Sequence, residues 1–427
     1  MEPIILGDDM FPREDGCGRA HTVTLRKAVI AEDAMLGFQD TLREYGFDGD
    51  CAVIYDEHTY AALAGKRPKA AREIVLPPEG LHADEHGVAL AEARLGGEGL
   101  LVAAGAGTVH DITRYLCAAR GLSFVSVPTA ASVDGFVSSV AAMTLGGYKV
   151  TVPSAAPALL VADLNVIAAA PSYLAASGLG DVLGKYVSLK DWAIARTIAG
   201  EYYCTSTAGL MKEAVDAAFA SAPGIAAGER EAFGALMKAL VLSGVAMQLS
   251  GNSRPASGAE HHISHLIELG TPWLPETDAL HGEKVGVGTL LALETYRSWI
   301  GRDPAPLERA VAAWTPYTQR QMRPVFGPLT DSVLRENAEC CLKQADPAAI
   351  TARWDAIQTL LRALPEPERV RAALRQVKGK TALADLGIDE ALRPEIERWS
   401  PLVRTRLTFM RLLHKLREQR DAPGEKI

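Results

Sequence analysis

Histidines are concentrated in one short stretch of this chain. Four of its ten histidines lie between positions 261 and 281, three of them in the run Glu260-His-His-Ile-Ser-His265 and the fourth at the start of His281-Gly-Glu-Lys-Val. His261 and His265 are four residues apart, so on a helix their imidazoles project from one face, about one turn apart. Either could bind a divalent metal ion, and the alternative is a histidine-rich helix that is satisfied inside a core or solvated.

An open catalytic metal site usually has three protein ligands, which leave a position for water or substrate. The best further candidate is Asp181, in the segment Gly178-Leu-Gly-Asp-Val-Leu-Gly-Lys185. The glycines would let the backbone come close to a bound group. We predict that this segment is a loop that runs into a helix.

Two segments rich in glycine or in small hydroxylated residues follow predicted strands. Gly105-Ala-Gly-Thr-Val-His-Asp111 leads into a helix, where backbone N–H groups at the helix N-terminus can bind a pyrophosphate. Its spacing is not GxGxxG, and a tight strand-to-helix turn is the alternative. Pro128-Thr-Ala-Ala-Ser-Val-Asp-Gly-Phe-Val-Ser138 suits a ligand crevice at the carboxyl end of the next strand. Within it, Asp134 could reach a ribose or polyol hydroxyl, or form an Asx-type turn.

A further acid, Asp56, ends an earlier predicted strand. It could accept hydrogen bonds from the adenosine ribose hydroxyls of a dinucleotide, and it would then disfavour a cofactor with a 2′-phosphate. It could equally cap the helix that follows.

The elements that would position these residues change type along the chain. Up to about residue 168, short apolar strands alternate with helical segments, which is the pattern of a parallel sheet covered on both faces. The predicted strands cover 22–30, 51–55, 73–76, 99–104, 123–127 and 158–162, and the predicted helices between them cover 33–45, 58–65, 83–94 and 108–119. Beyond Pro171 only helical periodicity remains, over 182–198, 203–220, 229–250, 256–268, 280–299 and 306–313. We therefore predict an α/β domain over residues 1–170 and an all-helical domain over residues 171–427.

Size, composition and charge bound the class of protein. A chain of 427 residues is too long for one ordinary core, and 48% hydrophobic with 22% charged residues is typical of a globular protein. The net charge of -8 argues against nucleic-acid binding, which needs a basic surface. The most apolar windows, 154–170 and 235–251, are interrupted by Asp163 and Lys238, so we expect no integral membrane association.

The cysteines and the first residues favour a cytoplasmic location. The chain contains no CxxC pair, and we expect reduced thiols that form neither a disulfide framework nor a zinc ribbon. The six cysteines are at positions 17, 51, 117, 204, 340 and 341. The N-terminus lacks a basic region followed by an apolar run, so no secretory signal is predicted.

The last part of the chain is basic and amphipathic. Residues 401–420 include several arginines, and Val403, Leu407, Met410 and Leu413 share one helical face. Such a helix could contact a membrane or an acidic partner. We favour the alternative, in which its apolar stripe packs on the protein itself.

Five segments together resemble a known family. They read Gly-Ala-Gly-Thr-x-x-Asp, Pro-Thr-Ala-Ala-Ser-x-Asp-Gly, Gly-Leu-Gly-Asp, Glu-His-His-Ile-Ser-His and Leu-His-Gly-Glu-Lys-Val-Gly-Val-Gly-Thr. They resemble the sn-glycerol-1-phosphate dehydrogenases, within the superfamily of iron-containing alcohol dehydrogenases, glycerol dehydrogenase and dehydroquinate synthase, in the same order over roughly positions 20–415. The resemblance implies an N-terminal Rossmann-like nucleotide domain and a C-terminal helical metal domain, with the active site in the cleft between them.

The resemblance also implies roles for individual residues. Asp181, His261 and His281 would bind the metal, while His265 and Asp134 would act on the substrate. The dinucleotide would be lined by Gly105, Ala106, Gly107, Thr108, Asp111, Thr129, Ala130, Ala131, Ser132 and Ser138. Two positions depart from the superfamily's pattern: Ala106 replaces a glycine, and His262 lies beside the expected ligand. The spacing to His265 favours His261 over His262 as the ligand.

The implied reaction is the reversible, NAD(P)-linked interconversion of dihydroxyacetone phosphate and sn-glycerol 1-phosphate. One carboxylate with two imidazoles suits zinc, nickel or iron. His265 would relay a proton, since histidine titrates near neutral pH. Candidates for binding the substrate's phosphate are Lys149, Lys185 and Arg254.

Two other activities are compatible with the same fold. One is a lyase or cyclase like dehydroquinate synthase, which uses NAD+ only transiently, and the other is a glycerol dehydrogenase that acts on an unphosphorylated polyol. We expect a small phosphorylated triose or polyol as the substrate and a homo-oligomer as the working form.

Overall fold

The computed structural model describes residues 2–11, 14–146 and 148–420, apart from the side chains of residues 148–149 and 418–420. Strands and helices alternate up to Asp163, and every later element in this described part of the chain is helical. The predicted fold class, a Rossmann-like α/β part followed by a helical part, is confirmed. The division into two domains near residue 170 stays a prediction.

The strands of the described chain form one large sheet and one hairpin. They are β1 (Ile4–Gly7), β2 (Lys27–Ala31), β3 (Cys51–Asp56), β4 (Arg72–Leu76), β5 (Leu100–Gly105), β6 (Ser123–Pro128), β7 (Val140–Leu145), β8 (Tyr148–Pro153) and β9 (Leu159–Asp163).

The helices fall into two groups. Those that accompany the sheet are α1 (Phe38–Glu44), α2 (Glu57–Ala62), α3 (Glu85–Glu92), α4 (Gly107–Arg120) and α5 (Leu164–Ala169). Those of the helical part are α6 (Ser172–Leu183), α7 (Lys185–Ala199), α8 (Thr205–Ala220), α9 (Ala222–Ala227), α10 (Arg230–Ser250), α11 (Ala259–Glu268), α12 (His281–Arg297), α13 (Ala305–Ala312), α14 (Gln319–Phe326), α15 (Thr330–Glu336), α16 (Pro347–Ala352), α17 (Trp354–Arg362), α18 (Pro367–Gln376), α19 (Arg393–Trp399) and α20 (Phe409–Arg420).

The strand order of the large sheet creates a ligand crevice. The order is β1-β2-β9-β6-β5-β3-β4, and β3 pairs in parallel with β4 on one side and with β5 on the other. The chain therefore changes direction at β3, and ligands of doubly wound sheets bind beside such a point, at the carboxyl ends of the strands. Asp56 is the last residue of β3, and Gly105 is the last residue of β5. Gly105 also pairs with Pro128, so β5 and β6 end at the same level.

Two features of the sheet differ from the prediction. The edge strand β1 runs antiparallel to β2, and the hairpin of β7 and β8 was not predicted. Both lie outside the buried centre of the sheet and are only partly buried: Ile5 of β1 is 43% exposed, whereas every residue of β5 is buried. The long buried runs are the stronger strand signal in a sequence.

Two apolar segments pack inside the protein. Helix α10 is long and apolar enough to span a membrane, but 83% of its most apolar window is buried inside the protein. At the C-terminal end, Val403, Leu407, Met410 and Leu413 are all buried. The favoured interpretation of the basic tail, packing on its own protein, agrees with this burial.

Candidate active site

Asp181 lies in the last turn of α6, where the sequence predicted a loop. The prediction of a loop was wrong, because the glycines allow a helix to pack closely against neighbouring backbone. A side chain at Gly178 would overlap the carbonyl group of Ala131, and one at Gly180 would overlap the carbonyl group of Gly282. Helix α6 can therefore approach both the loop after β6 and the start of α12, and it brings Asp181 to their junction.

The two imidazoles of the predicted metal site come from different helices. His261 is in the first turn of α11, and His281 is the first residue of α12. Their ring centroids are 5.4 Å apart, and Nε2 of His261 is 3.5 Å from Oδ1 of Asp181. One donor atom from each of the three residues lies within 4.8 Å of the others. The fold thus brings the three predicted ligands together from three helices.

Both imidazoles are oriented by neighbouring carboxylates. Nδ1 of His261 lies 2.7 Å from Oε1 of Glu260, and Nδ1 of His281 lies 3.0 Å from Oε1 of Glu268. With the proton on Nδ1, each ring keeps an Nε2 lone pair available, and histidines that bind metals are commonly held in this way. Two such imidazoles and one carboxylate are a donor set that fits a divalent transition-metal ion.

His262 is not part of this group. Its ring is completely buried, and neither ring nitrogen has a hydrogen-bond partner within the described residues. Burial holds its pKa well below the usual value, so it is a neutral core histidine. The spacing argument that chose His261 over His262 agrees with this geometry.

A buried lysine connects two carboxylates beside the three donors. Nζ of Lys185 is 2.8 Å from Oδ1 of Asp181 and 2.7 Å from Oδ2 of Asp134. The backbone N–H of Asp134 donates to Oδ2 of Asp181 at 3.0 Å, and Ser243 Oγ donates to Oδ2 of Asp134 at 2.7 Å. Burial opposes ionisation of Asp181, but Lys185 and His261 hold its pKa well below the usual range. Asp181 is therefore an anion, ready to act as a ligand.

The surroundings of His261 favour a positive charge. Burial and the charge of Lys185 act to lower its pKa, but the hydrogen bonds to Asp181 and Glu260 outweigh them and raise the pKa to about 9. The carboxylates thus stabilise a cation at this ring, either the imidazole's own proton or a metal ion that replaces it.

His265 lies beside the same donors on the next turn of α11. Its ring centroid is 6.0 Å from that of His261 and 5.9 Å from that of His281. Burial holds the pKa of His265 well below its usual value, so the expectation that it titrates near neutral pH is wrong. Its Nδ1 is buried without a hydrogen-bond partner among the described residues.

The glycine-containing segment has the geometry of a phosphate-binding turn. Strand β5 ends at Gly105, α4 begins at Gly107, and the intervening Ala106 makes no side-chain cap. The first N–H groups of α4 therefore lack a side-chain acceptor, which suits a pyrophosphate. Ala106 has φ -91°, a conformation that any residue adopts, so its methyl group causes no backbone strain. Thr108 and Asp111 are half-buried on the first turns of α4, and burial raises the pKa of Asp111 to about 6 although Arg114 opposes this.

Arg114 holds the second predicted loop in place, and sequence reasoning missed it. Its buried guanidinium donates to the carbonyl oxygens of Ser138 and Val140, each at 2.9 Å, and to that of Gly135. The predicted ligand-lining residues of this loop are all buried: Thr129, Ala130, Ala131, Ser132, Asp134 and Ser138. The hydrogen bonds from Arg114 thus hold this loop between the end of β6 and α6.

Asp56 is a helix cap, as one of the two interpretations expected. Its Oδ1 accepts from the backbone N–H of Thr59 at 2.8 Å at the start of α2. It also ends β3 beside the crevice, so a ribose contact through the same carboxylate stays a prediction.

Serine at position 56 separates these two roles, because serine caps helices about as well as aspartate. We expect Asp56→Ser to raise the KM for NADH about tenfold, through loss of charge-assisted hydrogen bonds to the ribose, with little change for NADPH or in thermal stability. Steady-state kinetics with both cofactors measure this. Asp346→Ser, at the N-cap of α16, is the matched control. An equal effect on both cofactors would reduce Asp56 to a structural cap.

The structure also tests the three candidates for the substrate's phosphate. Lys185 is completely buried between two carboxylates. Arg254 is occupied by the carboxylate of Glu201 and the carbonyl oxygen of Leu407. Neither is free to bind a phosphate, because each is already paired within the protein. The side chain of Lys149 lies outside the described residues.

Several curated proteins that are similar to this chain share one name. The chain is 34% identical to the glycerol-1-phosphate dehydrogenase (NAD(P)+) of Bacillus licheniformis, over 93% of this chain and 91% of the relative. The protein of the same name from Geobacillus stearothermophilus is 32% identical, over 95% of this chain and 96% of the relative. That of Pyrococcus furiosus is 35% identical, over 66% and 78%. Residues 29–171 also match the family model of iron-containing alcohol dehydrogenase.

Solved structures share the fold at lower sequence identity. Sulfoacetaldehyde reductase from Bifidobacterium kashiwanohense, in complex with NAD+, is 17% identical, with a TM-score of 0.59 over 95% of this chain and 98% of that chain. Glycerol dehydrogenase from Schizosaccharomyces pombe is 18% identical, with a TM-score of 0.54 over 83% and 93%. At this identity the likeness establishes the fold alone.

Proposed function

We propose that this chain, which belongs to the glycerol-1-phosphate dehydrogenase family, catalyses the metal-dependent, NAD(P)-linked interconversion of dihydroxyacetone phosphate and sn-glycerol 1-phosphate. The observation that carries the proposal is the convergence of Asp181, His261 and His281 beside the loop at the carboxyl end of β6. In the reducing direction a hydride adds to the substrate's carbonyl carbon and a proton adds to its oxygen.

The three ligands would hold the metal ion where the two parts of the chain meet. A divalent ion supplies a Lewis acid for the substrate's carbonyl oxygen, and a bound nicotinamide supplies the hydride. Lys185 keeps Asp181 ionised in a buried site and forms an ion pair with Asp134, and the backbone N–H of Asp134 orients the Asp181 carboxylate. Asp134 would contact the substrate's hydroxyl groups, in a position set by Ser243 and Lys185.

His265 would carry the proton as a neutral imidazole. Because burial keeps its pKa low, it cannot store a proton at neutral pH. A neutral ring can still accept a proton on one nitrogen while it releases one from the other. This exchange would move a proton to or from the substrate's oxygen.

An assay with two substrates tests the function. The purified enzyme with its metal is incubated with NADH or NADPH and dihydroxyacetone phosphate, and in parallel with unphosphorylated dihydroxyacetone. Sustained cofactor oxidation with a strong preference for the phosphorylated ketone is expected, together with formation of the sn-1 product. No net oxidation would favour a lyase or cyclase like dehydroquinate synthase, and a preference for the unphosphorylated ketone would favour a glycerol dehydrogenase.

We propose Arg404 as the cation that binds the substrate's phosphate. Burial is the main cause of the low pKa values of His262 and His265, and the positive charge of Arg404 lowers both further. It is half-buried, and its Nη2 lies 3.5 Å from Oγ1 of Thr151 on β8, which places it between the α/β part and the helical part. No carboxylate pairs with it among the described side chains, so its charge is available to an anion.

We therefore expect Arg404→Ala to raise the KM for dihydroxyacetone phosphate by about 10- to 100-fold, the range of one or two charge-assisted hydrogen bonds. The residual activity on unphosphorylated dihydroxyacetone should be unchanged, because that ketone has no phosphate. Steady-state kinetics with both ketones measure the difference, with exposed Arg320→Ala as the control. Equal losses on both ketones would exclude Arg404 as a phosphate ligand.

We also propose that the protein works in the cytoplasm as a homo-oligomer. Its described cysteines are all free thiols, which suits a reducing compartment. The outer edge of β1 and the exposed Ile5 offer a surface for contact between subunits. Light scattering coupled to size-exclusion chromatography measures the mass, and a monomer would contradict the second part.

A further inference from the structure

A second group of metal-binding side chains lies outside the active site. Three of its members come from one short segment near the N-terminus and the fourth from the start of α8. One donor atom of each lies within 4.8 Å of the others. We propose a structural zinc site with four protein ligands: Asp15, Cys17, His21 and Cys204. We call these four residues the thiolate cluster.

The three distances from His21 within the thiolate cluster match the edges of a tetrahedron around zinc, whereas Sγ of Cys204 and Oδ2 of Asp15 are closer together, at 2.8 Å. Nε2 of His21 is 3.4 Å from Sγ of Cys17, 3.7 Å from Sγ of Cys204 and 3.2 Å from Oδ1 of Asp15. Zinc bonds of about 2.3 Å to sulfur and about 2.0 Å to nitrogen or oxygen place tetrahedral ligands about 3.5 Å apart for S and N and about 3.3 Å apart for N and O. All three separations lie close to these values.

The histidine of the cluster is held as a metal ligand would be. Its side chain is fully buried, and Nδ1 lies 2.6 Å from the carbonyl oxygen of Leu249. That oxygen can only accept, so Nδ1 carries the proton and Nε2 directs a lone pair at the other three donors. An imidazole lone pair that faces two sulfur atoms and a carboxylate requires either a proton or a metal ion between them.

Hydroxyl and backbone groups contact the sulfur atoms of both cysteines. Cys204 is the N-cap of α8, and its Sγ accepts from the backbone N–H of Thr207 at 3.3 Å and from the hydroxyl of Thr207 at 3.1 Å. The hydroxyl of Tyr202 lies 3.2 Å from Sγ of Cys17. The thiol of Cys204 donates to Oδ2 of Asp15 at 2.8 Å. A metal ion would replace this proton, because the thiolate is the form that binds metal.

The backbone around Cys17 is shaped for this arrangement. Gly16 and Gly18 have φ values of +76° and +85°, which residues with side chains rarely adopt. These two glycines flank the cysteine and turn the chain, so that Asp15, Cys17 and His21 meet over only seven residues.

The chemical nature of the donors favours zinc in a closed site. Two thiolates, one imidazole and one carboxylate fill a tetrahedral shell and leave no position for substrate, in contrast to the three donors of the active site. A disulfide between Cys17 and Cys204 would leave the buried carboxylate and imidazole without a role. Zinc would instead join the N-terminal segment to α8, a connection across 183 residues between His21 and Cys204.

Metal analysis of the intact enzyme tests the proposal. We expect one zinc per chain that survives treatment with a mild chelator and is released, one equivalent per chain, when a mercurial blocks the thiols. Cobalt at this site should give the near-ultraviolet charge-transfer band of a thiolate complex, which the active-site donors cannot produce. Because these readouts do not use catalysis, they stand or fall independently of the proposed dehydrogenase activity.

Variants assign the zinc to its ligands. Cys204→Ser should lose one equivalent of zinc and the cobalt band, whereas the buried control Cys51→Ser should retain both. If Cys204→Ser does not fold, mercurial release from the unaltered protein still decides the question. Full zinc retention by folded Cys204→Ser, a disulfide between Cys17 and Cys204 in the purified protein, or no zinc released by the mercurial would each overturn the proposal.

Discussion

Asp181→Ala and His281→Ala are each expected to lose the active-site metal and to lower kcat/KM about 1,000-fold or more. Each variant removes one of three ligands, and the Lewis acid they hold is worth several kcal/mol of transition-state stabilisation. The proteins should remain folded, because His281 is half-buried at the start of a helix and because Lys185 keeps Asp134 as a carboxylate partner when Asp181 is removed. Elemental analysis gives the metal content, and circular dichroism reports folding.

His262→Leu is the matched control for these variants. It removes a neighbouring histidine whose ring nitrogens have no partner among the described residues, so an apolar side chain of similar volume should cost little stability. We expect it to retain metal and most of the activity. Full activity in Asp181→Ala or His281→Ala would remove that residue from the site, and metal loss in His262→Leu would show that the choice between adjacent histidines was mistaken.

The parts of the site that sequence could predict are those encoded locally. A buried strand followed by Gly105-Ala-Gly107 already implies a turn into a helix, and the structure has β5 and α4 there. The spacing of His261 and His265 implies one helical face, and the two rings are neighbours on α11. Both arguments use only residues close together in the chain, for which the backbone geometry is known in advance.

The parts that sequence could not predict depend on contacts between distant segments. The glycines before Asp181 suggest a loop unless one knows that α6 packs closely against the carbonyl groups of Ala131 and Gly282. The low pKa of His265 arises from burial, which depends on the whole fold. Cys17 and Cys204 form no motif in the sequence, because the second cysteine reaches the cluster only through the placement of α8.

Lys185 makes one contact that the sequence could predict and one that it could not. It follows Asp181 by four residues, so their ion pair could have been predicted from helical spacing. This holds although α6 ends at Leu183 and α7 begins at Lys185. Its second partner, Asp134, lies on the loop after β6, and this second ion pair could not have been predicted from the spacing. From the sequence, the lysine was one of three candidates for binding the phosphate, whereas it is a buried counter-charge for two acids.

This position of Lys185 leads to the second large expected effect. Lys185→Met leaves two buried carboxylates without their cation, and breaking a buried ion pair in this way typically costs about 3–5 kcal/mol. We expect that loss in the metal-free protein, measured as the free energy of unfolding in urea. The loss should be smaller when the active-site metal is bound, because the ion then compensates the charge of Asp181. Adding Asp134→Asn to Lys185→Met should recover part of the stability by removing one uncompensated charge.

Lys212→Met is the control, because Lys212 forms an ion pair with Asp216 at the same spacing on the exposed surface of α8. Exposed pairs of this kind contribute about 0.3–0.5 kcal/mol, so the variant should unfold almost as the original protein does, with or without metal. A loss in Lys185→Met as small as in this control would mean that Lys185 is not needed to compensate the two acids. An equal loss with and without metal would show that the bound ion and Lys185 do not both compensate the charge of Asp181. The carboxylates paired with Lys185 would then be independent of the metal site.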